Sequence, residues 1–466
     1  MPRLSTVLTV AAGALALSGC NLGEAKSASA PPKKFDRDPY GSTYQPYPGV
    51  PTLITGATVY DGEGGMIENG AIYLEGGKIQ MVGPLAAMSV PEGVQTIDAT
   101  GKFVTPGIID VHSHMGDYAS PGVDAHSDGN EMVNPVRPGV WAEHSVWPQD
   151  PAFTRALANG GVTTFQVLPG SGNLFGGRSV TLKNVPGRTV MDMKFPGAPY
   201  GLKMACGENP KRVYGNKGGP QTRMGNIAVT REAWIKAQSY DKDWDEYERG
   251  EGKKPGRDLD MDTLRGVLDG EILVHNHCYR ADEMALMMQM AKEFGYKVTS
   301  FQHAVEAYKI ADLLRENGVC AAMWADWYGF KMESYDGINE NISFVDAAGA
   351  CAIVHSDSSQ GIQRLNQEAA KALAAGRRAG LEISDAHAWT WLSLNPARSL
   401  GIDDKTGSLV PGKMADVVLW NGDPLSVYSR PDKVWIDGAL LFDAANPALR
   451  PVTDFELGQP GEGDVK

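Results

Sequence analysis

The sequence has no run of lysines or arginines, and its 56 acidic residues outnumber its 43 basic ones to leave a net charge of −13. That removes the electrostatic footprint a nucleic-acid partner needs. Cysteine is scarce. Apart from Cys20, the chain has Cys206, Cys278, Cys320 and Cys351, at spacings that match neither a zinc-finger nor a disulfide framework. These four are expected as buried, small apolar residues, not as pairs. No Gly-Lys-Ser/Thr follows the glycine-rich stretch near residue 170, so a phosphate-cradling loop is unsupported. No internal repeat is visible. What the chain does have is length: 466 residues, 42% of them hydrophobic, can bury a large core. That allows two to three domains or one large α/β barrel with additions.

Residues 1–20 read as a signal segment. Arg3 gives a short basic start, and Val7 to Leu17 is an apolar run too short to span a bilayer. It ends in Leu17-Ser18-Gly19-Cys20, which resembles a bacterial lipobox, with Cys20 as the lipidated first mature residue. The expectation is an exported lipoprotein, periplasmic or anchored to the outer membrane, touching membrane only through that lipid. Residues 21–50, rich in Ser, Pro, Lys, Tyr and Gly, read as a tether.

Residues 51–105 are short and β-like. Gly70 to Val82 is two alternating runs around a Glu75-Gly-Gly-Lys78 turn, a hairpin signal. Similar text returns at Ala415–Trp420 and Lys433–Leu441. The spacing predicts one small β-sandwich domain built from 51–105 and 401–450, with 451–466 as a tail. Between them, 106–400 alternates short apolar runs with helical stretches. Strand candidates are Ile108–Val111, Thr163–Leu168, Leu202–Ala205, Ile272–Val274, Lys297–Phe301, Ala321–Met323 and Ala352–Val354. Over roughly 290 residues this argues for a (β/α)₈ TIM barrel. The stripe Met284, Met287, Met288 and Ala291 reads as helix packing. Asp117–Asp150 reads as a loop over the barrel mouth, and Ser239–Asp262 as a charged surface insertion.

In such barrels the working residues sit at the C-terminal ends of strands. After the first strand come His112 and His114, whose i, i+2 spacing puts them on one face. Later strand ends carry Cys206-Gly-Glu208, then His275 and His277, then His303, then His355 and Asp357. Neutral imidazoles are common metal ligands. One histidine at a strand end is an ordinary polar residue; four strand ends bearing His or Asp are a pattern.

On these residues the chain resembles the metal-dependent amidohydrolase superfamily, in the branch of imidazolonepropionase-like enzymes and related Xaa-Pro dipeptidases. The anchors are Pro106-Gly-Ile-Ile-Asp-Val-His-Ser-His114, His277-Cys-Tyr-Arg-Ala-Asp-Glu283, Phe301-Gln-His303 and His355-Ser-Asp357. Leu394-Asn-Pro-Ala-Arg-Ser-Leu-Gly401 and the Pro411-Gly-Lys-Met-Ala-Asp416 text, over a resemblance spanning about 51–445, complete them. The resemblance implies one or two divalent metal ions, zinc foremost. His112, His114 and Asp357 would hold the more buried ion, and His277 and His303 the second. On the fourth strand relatives use either a carboxylated lysine or a glutamate. Lys203 matches the first and Glu208 the second; the reading leans to Glu208, which needs no modification and lies beyond the strand end.

A metal lowers the pKa of its bound water from about 15.7 to about 7. The resemblance then implies that Asp357 takes the proton of the attacking water and delivers it to the leaving nitrogen. His303 or His355 would steady the oxyanion. His275, His355 and Arg178 are candidates for substrate contacts, with Arg178, at the end of a loop-like Gly170–Arg178 stretch, meeting a carboxylate. The expected activity is hydrolysis of a C–N bond in an amide, cyclic amide or dipeptide, on a small-molecule or peptide substrate. A heterocycle deaminase uses the same metal set and stays open. So does a surface-anchored binding protein on an inactive barrel, though the intact ligand set argues against it. The quaternary state stays open, a homo-oligomer included.

Overall fold

The computed structural model describes residues 38–450. The expected signal segment, Cys20, most of the tether and the C-terminal tail lie outside the described residues. The chain begins its regular structure with β1 (Thr52–Tyr60), β2 (Met66–Glu75), β3 (Lys78–Pro84), β4 (Gln95–Asp98) and β5 (Phe103–Pro106). The β2–β3 hairpin turns at Gly76 and Gly77, both at positive φ, which glycine adopts without steric cost.

The chain then enters a second sheet of eight strands in sequence order: β6 (Ile108–Ser113), β7 (Val162–Val167), β8 (Phe175–Lys183), β9 (Gly201–Ala205), β10 (Leu273–Cys278), β11 (Ser300–His303), β12 (Cys320–Met323) and β13 (Cys351–Val354). The sheet closes on itself where Asp357 N donates to His112 O at 3.0 Å and Ser356 hydrogen-bonds the Asp110 carboxyl. Helices cover the outside: α1 (Pro151–Gly160), α2 (Glu208–Tyr214), α3 (Arg223–Glu248), α4 (Leu259–Leu268), α5 (Ala281–Phe294), α6 (Ala311–Asn317), α7 (Asn341–Ala347) and α8 (Leu365–Arg378). Met284, Met287, Met288 and Ala291 of α5 are buried, as their spacing requires. Residues 117–150 carry no strand.

Eight strands match the barrel expectation, but eight β/α repeats do not. β8 runs antiparallel to both β7 and β9, and no helix separates β7 from β8. Residues 170–178, expected as a loop, are partly this strand. A short connection without a helix can only return the chain in the opposite direction. Among the described residues no helix is long and apolar enough to cross a membrane.

Three strands, β14 (Val417–Trp420), β15 (Pro431–Ile436) and β16 (Ala439–Asp443), return to the first sheet, where β14 pairs with β5. The two chain ends thus build one hydrogen-bonded sheet around a core that includes Ile54, Val59, Ile72, Val104, Val417 and Trp435. A buried ion cluster joins this sheet to the barrel. Lys183 of β8 lies 2.7 Å from Asp437 and 3.4 Å from Asp416, and the Tyr44 hydroxyl donates to Asp437. Tyr44 is buried, so this part of the expected tether is seated on the folded protein.

The cysteines are a correction. Cys206 pairs with Cys278 and Cys320 with Cys351. Spacings of 72 and 31 residues say nothing about pairing. The sheet supplies it: β9 lies beside β10 and β12 beside β13, which brings the Cα atoms to 5.3 and 4.4 Å.

Candidate metal centre

β6 delivers His112 and, one residue past its end, His114. Asp357 arrives from the opposite side of the closure, three residues beyond β13, in the left-handed region at φ 54°. That conformation costs a non-glycine residue about 1–2 kcal/mol. It places Asp357 Oδ1 3.3 Å from His112 Nε2 and 3.2 Å from His114 Nε2. Burial opposes ionisation of this carboxyl, but His112 and His114 hold it well below the usual carboxylate range.

β10 and β11 bring the other rings. His277 packs edge-on against His303 with centroids 4.5 Å apart, and His303 leaves β11 at φ 71°. His303 stacks between Tyr279 and Trp324, at 5.2 and 4.2 Å. The backbone N–H of His303 donates to His355 Nε2 at 3.1 Å, which leaves the His355 proton on Nδ1, a buried atom without a partner. Burial drives His277, His303 and His355 well below the ordinary histidine value, and His112 down to about 4. All are neutral imidazoles at pH 7.

A hydrogen-bond chain below them sets the His112 tautomer. Gln166 donates to His275 Nε2 at 3.2 Å, and His275 Nδ1 donates to Ser300 Oγ at 2.8 Å. Gln302 donates to the same hydroxyl and turns its Oε1 to His112 Nδ1 at 2.9 Å. The proton therefore sits on His112 Nδ1, and Nε2 presents its lone pair to the centre. His275, expected to contact substrate, is instead fully buried with both nitrogens occupied. Its ring lies against Gly201, where a Cβ would come within 2.4 Å of it. Gln302, whose part no motif announced, orients His112; the signal was its place two residues after Ser300 on the inward face.

The two fourth-strand candidates go to different places. Lys203, in register with His275, is buried with its Nζ 3.5 Å from His112 Nε2. Burial lowers its pKa to about 7. Glu208 opens α2, and its carboxylate lies 3.5 Å from Lys331 Nζ. Lys331 comes from the loop after β12, sits 4.0 Å from the Tyr279 ring centroid and was invisible as a site residue in the sequence. Arg178 also departs from expectation. Strand alternation turns Gly177, the register partner of Lys203, inward and Arg178 outward. Its guanidinium covers Trp141 at 4.1 Å and donates to Thr263.

The donor set fits a divalent cation. His112, His114 and Asp357 form one group of ligating atoms within 4.8 Å of one another, and His112, His303 and His355 another. The Nδ1 atoms of His114, His277 and His303 are buried with no hydrogen-bond partner. Imidazole nitrogens and a carboxylate suit zinc and similar ions.

Fold and donor set together define a metal-type centre at the C-terminal mouth of an α/β barrel. The chain belongs to the amidohydrolase family. The family's profile matches residues 270–441. The solved amidohydrolase from Thermotoga maritima MSB8 is 34% identical, with 84% of this chain and 100% of that one covered and a TM-score of 0.77. Amidohydrolase tasK of Hapsidospora irregularis is 32% identical over 433 residues, 85% of this chain; the chain spans 43% of that relative's length. An imidazolonepropionase of Mesorhizobium japonicum is 24% identical over 78% of this chain and 90% of its own.

Proposed function

We propose that the chain is a metal-dependent hydrolase that cleaves a C–N bond in an amide, a cyclic amide or a dipeptide. The observation that carries this is the Asp357 carboxylate, held ionised within 3.3 Å of the inward-facing Nε2 atoms of His112 and His114. His112, His114 and Asp357 would hold a divalent ion, zinc foremost, and His277 and His303, with Lys203, would complete a second position. Such an ion, when bound, acidifies a water and polarises a carbonyl.

The chain's own groups do the rest. Asp357 accepts the water proton and passes it to the departing nitrogen, so that the amine leaves neutral. His355, its Nε2 tied to the His303 backbone, offers its Nδ1–H to the developing oxyanion. Tyr279 and Trp324 stack against His303 and fix its ring in the wall of the centre. Family membership and names of relatives such as amidohydrolase and imidazolonepropionase support the same bond class.

The two disulfides support export, since such bonds persist in oxidising compartments. They agree with reading residues 1–20 as a signal segment whose Cys20 is lipidated. The test is to purify the protein, measure bound metal, and screen dipeptides, N-acyl amino acids and cyclic amides. The expected result is hydrolysis of one class, lost on chelation and restored by metal. Metal-free protein inert towards every class after zinc, manganese or iron loading would sink the reading.

A further inference from the structure

A cavity of about 510 Å³ lies between the loop that follows His114, the outward side of β8 and the segment entering α4. None of the histidines of the metal centre lines it, and neither does Asp357. Asp117 does. It is 1% exposed and its Oδ1 meets no donor. Burial, with Asp128 nearby, pushes its pKa well above the usual carboxylate range. A buried polar group left unpaired is destabilising. The turn does not need that side chain, because the backbone makes it: Asp117 N donates to His114 O and Asp117 O accepts from Asp128 N.

Three more carboxylates, Asp128, Glu131 and Asp262, join the same lining, with Tyr40 and Trp141 as aromatic walls. The two guanidinium groups of the lining are already paired, Arg178 with Thr263 and the Trp141 ring, and Arg257 with Asp262 of the same lining. A bare metal ion is a poor occupant. Among the described residues, side chains close enough to share an ion occur in two groups, both at the barrel centre, and Asp117, Asp128 and Glu131 are in neither. The volume is that of a small-molecule site.

We infer that this cavity binds the ammonium group of a small organic cation, with Asp117 as its anchor. The ammonium supplies the charge-assisted hydrogen bond that Asp117 lacks, and the hydrocarbon part lies on Tyr40 and Trp141. The inference does not depend on which bond the metal centre cleaves.

n-Pentylammonium and n-pentanol separate the charge from the chain that carries it. Calorimetric titration of the metal-loaded protein should show the amine binding at least tenfold tighter than the alcohol. Asp117→Asn should erase that preference while bound metal stays constant. Asp128→Asn, at an exposed position, should weaken the amine by a smaller factor and keeps the test alive if the first variant does not fold. Stripping the metal with a chelator should leave the amine affinity unchanged. Equal affinity for amine and alcohol, indifference to both substitutions, or loss of binding together with the metal would each overturn the site.

Discussion

Lys203 Nζ lies 3.5 Å from His112 Nε2 inside the barrel. Two candidates for the fourth-strand position, five residues apart, are thereby separated by their surroundings: one faces the histidines, the other faces Lys331. A neutral amine is the form that carbon dioxide carboxylates, and burial has moved Lys203 towards it. We therefore expect Lys203→Met to lower metal affinity tenfold or more and to abolish turnover. Glu208→Gln should have the smaller effect on bound metal. Elemental analysis of both variants checks this, and the reverse order would restore Glu208 to the centre.

Asp357→Asn keeps the side chain's size and removes its basicity. Turnover should fall by about 10²–10⁴, the usual worth of a general acid–base group, while metal stays largely bound. Near wild-type turnover would show that the proton moves by another route.

Acid should destabilise the metal-free protein in a defined window. Burial and then Lys203 hold His112 at about 4 and His275 at about 3, below the unfolded value of 6.5. Between pH 6.5 and 4 the unfolded chain binds protons that the folded chain does not. Each such histidine weakens folding by about 1.4 kcal/mol per pH unit as pH drops. His277, His303 and His355 act the same way. Together the five outnumber Asp110 and Glu283, which burial raises to about 7 and which act with the opposite sign. Lys203, lowered to about 7, acts with the same sign as the histidines between pH 10.5 and 7. Urea midpoints of the metal-free protein at pH 8, 6.5 and 5 measure this; a flat profile from 6.5 to 5 would refute it.

Each disulfide closes a long loop, so breaking either by Cys→Ser exchange should cost about 4 kcal/mol on the chain-entropy estimate. Thermal melts of Cys206→Ser and Cys320→Ser, beside melts of the wild type with and without reductant, test it. Melting curves that ignore reductant would argue against both bonds.

Lys183→Met leaves Asp416 and Asp437 buried without their cation, which should destabilise the protein by about 3–5 kcal/mol. Urea unfolding reads the loss. Kinetic constants at low temperature should move little, because the cluster joins the barrel to the other sheet and does not touch the histidines.

Much of the centre is legible in the sequence. His112 and His114 share a strand face by spacing alone, and strand ends carrying His277, His303 and Asp357 recur along the chain. The hairpin at Glu75–Lys78 and the matching β text near residue 435 pointed to a small β-sandwich domain from both ends, and in the structure both ends join one hydrogen-bonded sheet. Less legible was β8. Its Gly176-Gly177-Arg178 start reads as a loop, and strand direction leaves no mark in side-chain pattern. His275 and Arg178 differ from the sequence expectation for a related reason: one points a layer deeper and the other to the outside.

The sequence by itself determined what is local. Apolar periodicity made the strands and helices, and the residue types at strand ends made the chemistry available. Tertiary structure alone decided what depends on distant register. It paired Cys206 with Cys278, brought Lys203 and not Glu208 to His112, and set the His112 tautomer through Gln302, Ser300 and His275. The physical reason is that a side chain's direction follows from its own strand, whereas its neighbours follow from how strands far apart in the chain are aligned.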